Sequence, residues 1–393
     1  MSSMSSRQRL LAAINGQTAD HVPCSFMSFN ALRKRHAENL YELAKAELGM
    51  GLDSFLFIPS LSKPQRPDHP DLRGLPVRFS PQVRTNEQRS AGSGVYDTLH
   101  KEYQTPAGSL TTSVSISEDW PHGDHIPFID DFQVPRAIKP LVTGREDLEP
   151  LSYLLAPPTP QDIDLYHAEV QTAKAFTAEH SILLAGGWGV GMDMANWLCG
   201  SQNLMFLTMD DEAFVVDLLE MIHQWNMERM RVVLAGGVDL YIRRAWYEGC
   251  DLVTPGFYQR VILPRLKIEV ALAHEYDAKF GYICTSGILP MVDHFLEAGI
   301  DVLIGIDPEQ GTHTNLAEIK RRIGDQMCIW GGVSGAVTVE LGSEEQIRAA
   351  TRAAIDALGP NGFILSPVDN ITVDTPQTWQ NIQTFIDEWR RSR

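Results

Sequence analysis

Short apolar runs alternate with longer amphipathic stretches along most of the chain. Such runs are typical of buried strands, and the stretches between them have helical periodicity. The pattern predicts eight strands: His21–Ser28, Ser54–Pro59, Ser181–Gly187, Asp239–Tyr247, Lys279–Cys284, Asp301–Asp307, Met327–Gly332 and Phe363–Pro367. Because strands that alternate with helices form a parallel sheet, and eight repeats allow closure, we predict an α/β protein with a (β/α)8 TIM barrel. An open doubly wound sheet is the alternative.

The amphipathic stretches between the later strands predict helices. The clearest are Asp211–Ala235, Pro255–Tyr276, Pro290–Ala298 and Ser343–Leu358. Ser343 is followed three residues later by Gln346, which is the arrangement of a capping box. The last of these helices is therefore predicted to begin at Ser343.

Residues 60–150 interrupt the alternation and are rich in Pro, Gly, His and Asp. Within them, Thr98–Tyr103 and Ser109–Ser115 flank a Pro-Ala-Gly turn and predict a hairpin. We expect this stretch to be an insertion after the second predicted strand that folds over one barrel end, within a single domain of residues 1–393. Its motif His122-Gly-Asp124-His125 has the composition of a metal site, but a surface turn explains it at least as well.

Composition narrows the classes of partner. The chain has 393 residues, 44% of them hydrophobic, and a net charge of −17, which argues against nucleic acid or an anionic membrane as partner. No long apolar run occurs at the N-terminus or elsewhere, so we expect neither a signal peptide nor a membrane anchor. The five cysteines form no CxxC pair and are expected to be reduced thiols of a cytoplasmic protein.

Polar residues that follow the predicted strands are the candidates for chemistry, because TIM barrels place their sites where strands end and βα loops begin. The candidates for general acid or base are Asp369, Glu248 and Tyr282. The candidates for substrate binding are Trp188, Tyr247, Arg243 and His313. The adjacent Arg243 and Arg244 could pair with an acidic substrate, but one of them has to point outward, and a structural ion pair is the commoner fate of the other.

A divalent metal is a further hypothesis. Cys284, Asp307 and Asp369 end or follow three predicted strands, and zinc accepts sulfur and carboxylate oxygen in one tetrahedral site. The alternatives are a small buried thiol at Cys284 and a helix cap or turn at Asp369.

Several blocks carry a family resemblance: Leu252–Lys267 and, in the C-terminal third, YICTSG, LEAGIDVLIGID, WGGVSG and SPVDNITVDTP. With these blocks the chain resembles the uroporphyrinogen decarboxylase family, which includes corrinoid-dependent methyltransferases. Decarboxylases proper carry an arginine-rich segment, an aspartate and a histidine after the first, second and eighth strands. Here those places hold Phe26–Leu32, Pro59-Ser60 and Asp369, so the resemblance implies a different reaction.

The methyltransferase branch is more similar. There a His-x-Cys on the fifth strand and a cysteine after the eighth hold zinc, where this chain has Tyr282-x-Cys284 and Asp369. Distantly related methionine synthases add an acidic ligand that matches Asp307. The resemblance implies transfer of a methyl group between a small methylated substrate and a folate or a corrinoid held by a separate partner protein. The substitutions imply either a methoxylated or quaternary-amine methyl donor at a modified zinc site, or a site without metal.

Two other functions stay open on the sequence. One is a decarboxylase that acts on a porphyrinogen or a smaller acid, and the other is a non-catalytic ligand-binding barrel. A homodimer is also left open.

Overall fold

The structure is a computed structural model that describes residues 4–36, 38–58, 70–72, 74–92, 94–310, 312 and 314–392. Its strands are β1 (Phe55–Ile58), β2 (Arg84–Ser90), β3 (Thr98–Thr105), β4 (Gly108–Ser115), β5 (Ala137–Lys139), β6 (Leu183–Gly189), β7 (Leu240–Arg244), β8 (Lys279–Ile283), β9 (Val302–Ile306), β10 (Cys328–Ser334) and β11 (Phe363–Val368).

The α-helices are α1 (Ser6–Ile14), α2 (Asn30–Arg35), α3 (Leu40–Gly49), α4 (Leu148–Ser152), α5 (Pro160–His180), α6 (Met192–Cys199), α7 (Ser201–Asp210), α8 (Glu212–Ala235), α9 (Pro255–Phe257), α10 (Leu263–Glu275), α11 (Val292–Ala298), α12 (Leu316–Ile323), α13 (Glu344–Leu358) and α14 (Pro376–Ser392). The predicted capping box is present, because Ser343 Oγ accepts from Gln346 N and Gln346 Oε1 accepts from Ser343 N. No helix in the described ranges has the length and apolar character that crossing a membrane requires.

A seven-stranded parallel sheet in the order β1-β6-β7-β8-β9-β10-β11 carries seven of the eight predicted strands. The neighbours pair in parallel, with Phe55 opposite Leu183 and Ile329 opposite Phe363. The α/β class and the parallel order are therefore confirmed. The strand predicted at Asp239–Tyr247 is too long, since β7 ends at Arg244 and the chain then turns, with Glu248 N bonded to Ala245 O at 3.1 Å.

The first predicted strand, His21–Ser28, is reduced to one parallel bridge between Cys24 and Leu365 of β11. Ser25 N donates to Leu365 O, and Leu365 N donates to Pro23 O. Pro23 has no N–H of its own to extend the ladder, which limits regular pairing here. An eight-stranded barrel stays a prediction.

The chain divides into two compact units, one of residues 1–58, 168–188 and 233–393 and another of residues 59–167 and 189–232. The first unit contains the seven-stranded sheet. One face of that sheet, here called the core face, packs with α1 into an apolar cluster: Leu10, Ala13, Ile14, Leu183, Ala185, Leu240, Ile242, Ile283, Val302, Ile304, Cys328, Trp330 and Ile364. Consecutive strand residues alternate between this face and the opposite one.

The predicted helix Pro255–Tyr276 contains a π turn at Tyr258–Ile262, between α9 and α10. Pro264 lacks the N–H that an α-helix would bond to Arg260 O, and its ring crowds that carbonyl, so the preceding turn widens. The widened turn carries Tyr258, which is completely buried.

The second unit contains a four-stranded antiparallel sheet in the order β2-β3-β4-β5. Its centre is the predicted hairpin, which is confirmed as β3 paired with β4. The single domain with a rim insertion at residues 60–150 stays a prediction, and residues 60–69 lie outside the described residues.

The histidines of the His-Gly-Asp-His motif pair with carboxylates in this unit. His122 Nε2 lies 3.2 Å from Asp130, and His125 lies 2.9 Å from Asp71 and 3.0 Å from Glu87. Burial alone would lower the pKa of His125, but hydrogen bonds to the two carboxylates raise it above its usual value. The motif is therefore built into ion pairs of this sheet.

One buried carboxyl group in the first unit predicts a dependence of stability on pH. Glu47 in α3 is 5% exposed and accepts a hydrogen bond from Ser54 Oγ at 2.6 Å. Burial raises its pKa from 4.5 to about 8, against the smaller opposing effect of Ser54. Between these values the folded chain keeps a proton that the unfolded chain releases, so this contribution to stability is lost as the pH rises.

We therefore expect wild type to lose about 2–4 kcal/mol of unfolding free energy relative to Glu47→Gln between pH 5 and pH 8. Urea denaturation of both proteins at the two pH values measures the difference. Glu42→Gln, an exposed glutamate of the same helix, is the control and should show no such trend. An equal shift in both variants would contradict the assignment.

Candidate functional site

Strand alternation sends the two adjacent arginines of β7 to opposite faces of the sheet. Arg244 shares the core face with Leu240 and Ile242. Arg243 points to the helices, where its Nε lies 2.8 Å from Glu269 Oε2 in α10. Both arginines are buried, at 3% and 6% exposure. Arg244 thus lies at the end of the core face, and Arg243 lies between the sheet and the helices.

Three aromatic rings stand on the core face at the carboxyl ends of β1, β6 and β7. They are Phe57, Trp188 and Trp246, and we call them the aromatic cluster. Trp188 lies 6.1 Å from Phe57 and 6.2 Å from Trp246 between ring centroids, with both pairs tilted. The rings are half-buried, so part of each apolar surface stays accessible. This end of a parallel sheet is where α/β proteins place their ligands.

Arg244 lies against the same rings. Its guanidinium carbon is 4.2 Å from the centroid of Trp246 and 5.5 Å from that of Trp188. At these distances the positive charge is attracted to the negative faces of the indoles. The aromatic cluster and the guanidinium of Arg244 therefore lie in contact at one end of the sheet.

The backbone at Trp188 is left-handed, with φ of 77°, and follows Gly187 with φ of 125°. A Cβ at Gly187 would lie 2.6 Å from Ile242 O of the neighbouring strand. Gly187, in the run Gly186–Gly191, thus allows close approach of β6 to β7 at this point. A non-glycine residue in the left-handed region is strained, and such strain concentrates at functional positions.

A buried ion network lies on the opposite face, directly behind the loop that carries Trp246. Arg243 donates to both carboxylate oxygens of Glu248, at 2.6 and 2.8 Å. Tyr282 OH donates to Glu248 Oε2, and Tyr258 OH donates to Tyr282 OH at 3.1 Å. With Glu269, these residues are called the Arg243 network, and each is at most 3% exposed.

Burial and the charges of neighbouring residues determine the protonation states in the Arg243 network. Burial would lower the pKa of Arg243, but the charges of Glu248 and Glu269 raise it well above its usual value. Burial, followed by the charge of Glu248, raises the pKa of Tyr282 and of Tyr258 well above theirs. The tyrosines are therefore neutral donors, and Glu248 accepts hydrogen bonds from both terminal nitrogens of Arg243 and from Tyr282 OH.

Adjacent βα loops of the first unit are joined to one another by hydrogen bonds. Cys250 N donates to Gly287 O at 3.2 Å, and Gly287 N donates to Thr312 O at 2.9 Å. Thr312 Oγ1 in turn donates to Asp251. A Cβ at Gly287 would lie 2.5 Å from Cys250 N, so glycine is needed for this close contact. The loops after β7, β8 and β9 thus form one connected rim.

The profile of the uroporphyrinogen decarboxylase (URO-D) family matches residues 126–392, about two thirds of the chain. This chain belongs to the uroporphyrinogen decarboxylase family. A methyltransferase from Methanosarcina mazei has a similar fold at 16% identity and a TM-score of 0.59, with 99% of each chain covered.

A B12-independent methionine synthase from Shewanella sp. W3-18-1 matches 56% of this chain and 65% of its own, at 12% identity and a TM-score of 0.41. That score is too low to support an argument. No curated protein matches the sequence. The comparisons establish the family and its fold, and they do not specify the reaction of this member.

The zinc hypothesis for this URO-D family member lacks a fitting donor set among the described residues. No group of three or more His, Cys, Asp or Glu side chains there is arranged to hold a metal ion. Asp307 is buried, and its oxygens accept hydrogen bonds from Glu309 N and from Gln310 N and Nε2. Cys284 Sγ lies 3.7 Å from Ser286 O. Zinc binding by Cys284, Asp307 and Asp369 stays a prediction, and no step is derived through it.

The other predicted residues have different positions in this family member. Glu248 and Tyr282 are brought into contact, but on the helix side of the sheet, where they bind each other and Arg243. Asp369 is exposed, with a left-handed φ of 66°, directly after β11. Tyr247 is half-buried in the rim. His313 lies outside the described residues. Catalytic roles for Asp369, Glu248 and Tyr282, and substrate binding by Arg243, Tyr247 and His313, stay predictions.

Four residues of the aromatic cluster and the Arg243 network were not predicted from the sequence: Phe57, Trp246, Tyr258 and Glu269. Trp246 lies in the turn after β7, where strand alternation no longer applies, so only its packing in the structure places it against the core face. Tyr258 lies in Leu252–Lys267, one of the blocks that carry the family resemblance. No local sequence pattern distinguishes Glu269 from other helical glutamates, because only the packing of α10 on β7 brings it to Arg243.

Proposed function

We propose that this chain is a methyltransferase of the uroporphyrinogen decarboxylase family that moves a methyl group between a small methylated substrate and a corrinoid protein or folate. The observation that carries the proposal is the character of the surface at the carboxyl ends of β1, β6 and β7: three half-buried aromatic rings and one guanidinium. Uroporphyrinogen has a carboxylate on every side chain, and binding it would require several cations at once. A small apolar methyl donor fits the aromatic cluster better.

The chemistry assigns limited roles to the residues of this chain. The bond between the methyl carbon and its heteroatom breaks, the heteroatom keeps the electron pair, and an electron pair of the acceptor forms the new bond. An oxygen or sulfur leaving group then takes a proton from water or from the N–H of a folate acceptor, whereas a quaternary nitrogen leaves as a neutral amine. The rings of Trp188 and Trp246 would contact the methyl group of the donor and hold it in position. They would also exclude water from it.

The Arg243 network would act indirectly, without contact with the substrate. It fixes Glu248, and Glu248 is two residues from Trp246 in the same tight turn. The network is therefore proposed to position Trp246. A corrinoid-binding partner protein is expected, and a homodimer stays a prediction.

Methyl transfer is tested with cob(I)alamin and, separately, tetrahydrofolate as acceptors. Methanol, methoxyacetate, dimethyl sulfide and glycine betaine are the donors, and methylcobalamin is followed by its absorbance. We expect transfer from at least one donor and a drop of about tenfold or more in Trp188→Ala and Trp246→Ala. Trp379→Ala is the matched control, because that ring contacts Phe29 and Arg35 instead.

A parallel incubation with uroporphyrinogen tests the alternative chemistry. Formation of coproporphyrinogen without methyl transfer would make the chain a decarboxylase. Saturable binding of the donors without turnover in either assay would favour the non-catalytic barrel. Either result overturns the proposal.

A further inference from the structure

We propose that His125 is a pH-sensitive latch of the second unit: with both ring nitrogens protonated it joins the segment Pro70–Leu72 to strand β2, and release of one proton to water breaks this connection at alkaline pH. The latch acts on the antiparallel sheet and its flanking segment, whatever reaction the chain catalyses.

Four charged side chains from separate segments form a closed ring in this unit, here called the ionic ring. They are Asp71 of the turn Pro70–Leu72, Glu87 of β2, Lys101 of β3 and His125 of the loop after β4. Lys101 Nζ lies 2.7 Å from Asp71 Oδ1 and 3.3 Å from Glu87 Oε1. His125 Nε2 lies 2.9 Å from the same Asp71 oxygen, and its Nδ1 lies 3.0 Å from Glu87 Oε2. Each of the two basic side chains thus contacts both carboxylates.

The two contacts of His125 require two N–H groups. A neutral imidazole has one N–H and one lone pair, and a lone pair that faces a carboxylate oxygen is repelled by it. A neutral ring can therefore bind Asp71 or Glu87, but not both. The protonated ring donates towards both carboxylates. Burial would lower the pKa of His125, but its contacts with the two carboxylates raise it above its usual value.

The charge count supports the same protonation state. With protonated His125 the ionic ring contains two anions and two cations, so its net charge is zero. Loss of the proton leaves one excess negative charge. The side chains of Lys101 and Asp71 are 1% and 4% exposed, so water screens this excess charge poorly. Loss of the proton therefore weakens the contact between His125 and one carboxylate.

The remaining polar groups that face the ionic ring do not replace this proton. Tyr103 OH lies 3.4 Å from Asp71 Oδ2, and burial followed by the charge of Asp71 raises its pKa well above its usual value. Tyr103 is therefore neutral over the whole range. Ile126 N donates to Glu87 at 2.8 Å, and Ile126 O accepts from Lys101 at 2.7 Å. These backbone bonds do not depend on pH.

The charged neighbours of His125 in its own loop pair elsewhere. Asp124 lies 2.9 Å from Arg89, and both side chains are exposed. His122 lies 3.2 Å from Asp130. The pH response of the ionic ring is therefore assigned to His125 itself.

A second histidine of the same sheet has no need for a charge. His100 of β3 has its Nε2 2.9 Å from Ser90 Oγ and its Nδ1 2.8 Å from Ser113 Oγ. A hydroxyl can donate or accept, so a neutral ring satisfies both contacts. His100 is therefore the matched control for His125.

The direction of the response follows from the raised pKa of His125. Its contribution to stability is complete below the unfolded value of 6.5 and is lost as the pH rises through the higher folded value. Burial would raise the pKa of Glu87, but hydrogen bonds from His125 and Ile126 lower it, so Glu87 stays charged at neutral and alkaline pH. The latch is thus closed near pH 6 and opens towards pH 9.

Hydrogen–deuterium exchange of the full chain, read by mass spectrometry of peptic peptides, measures the latch. The exchange rates of peptides that contain residues 70–72 and β2 are divided into the intrinsic rates at each pH, which gives protection factors. We expect these factors to fall by about tenfold or more between pH 6 and pH 9 in wild type, because one charge-assisted hydrogen bond is lost. Peptides of the first unit are the internal reference.

Two substitutions of His125 assign the response to its charge. His125→Gln has no charge and should show the lower protection at both pH values. His125→Arg keeps a cation that can donate to both carboxylates, so it should show the higher protection at both. His100→Gln should retain the wild-type response. NMR of the imidazole signals should show one titration midpoint above 6.5 that is missing in His125→Gln.

The proposal is wrong if His125→Arg responds to pH as wild type does, or if His100→Gln abolishes the response. It is also wrong if the His125 signal titrates at or below 6.5, or if protection falls equally in peptides of both units. Circular dichroism at pH 6 checks that each variant is folded. If His125→Gln does not fold, the comparison of wild type with His125→Arg still decides the outcome.

Discussion

Arg243→Met is expected to lower the free energy of unfolding by about 3–5 kcal/mol. The substitution leaves Glu248 and Glu269 buried and close together without the cation that both contact. Two desolvated carboxylates that lose their partner either repel each other or take up protons, and both alternatives destabilise the fold. Urea denaturation followed by circular dichroism measures the loss.

Lys267→Met is the matched control for this prediction. Lys267 lies in the same helix as Glu269 and pairs with Glu297 at 2.6 Å, but both side chains are about half exposed. Exposed pairs contribute about 0–1 kcal/mol, so the control should remain close to wild type. Similar stability of Arg243→Met and Lys267→Met would show that the Arg243 network contributes little to folding.

The second large effect is expected at Gly187, whose substitution by alanine should cost about 3–5 kcal/mol of unfolding free energy. A Cβ there would lie 2.6 Å from Ile242 O and 3.0 Å from Ile242 N, and φ of 125° is unfavourable for alanine in any case. Because Gly187 precedes Trp188, the displaced strand should also move that ring. We expect the binding of methoxyacetate to fall by about tenfold or more in any folded fraction.

Gly49→Ala provides the comparison. Gly49 is the last residue of α3, and nothing lies within 4 Å of the Cβ that alanine would add. Alanine is the better helix former, so this variant should be neutral or more stable by up to about 1 kcal/mol. If Gly187→Ala is as stable as Gly49→Ala, close packing of β6 on β7 does not require glycine.

These two predictions address the same part of the molecule from opposite faces of one sheet. Gly187 determines how closely β6 approaches β7 beside the aromatic cluster. The Arg243 network fixes the turn after β7 from behind. A substitution at Gly187 or at Arg243 should therefore change ligand binding at the aromatic cluster, although neither residue belongs to it.

The sequence by itself determined the α/β class, the positions of seven parallel strands and the hairpin of the second sheet. These features depend on local patterns: apolar runs of strand length, glycine and proline at turns, and a capping box at Ser343. Local patterns failed at His21–Ser28, where Pro23 interrupts the ladder, and at the end of β7, where the chain turns after Arg244. Both segments have the composition of a strand, but the backbone does not form a continuous ladder of strand hydrogen bonds along their predicted length.

For the site, the sequence determined which strand ends carry polar residues and that one of the two arginines must point outward. Only the tertiary structure decided which one does so. Arg243 pairs with Glu269 of α10, whereas Arg244 stacks on Trp188 and Trp246. Period-two alternation fixes the relative orientation of neighbouring residues but not the absolute one, since that depends on which face of the sheet the helices cover.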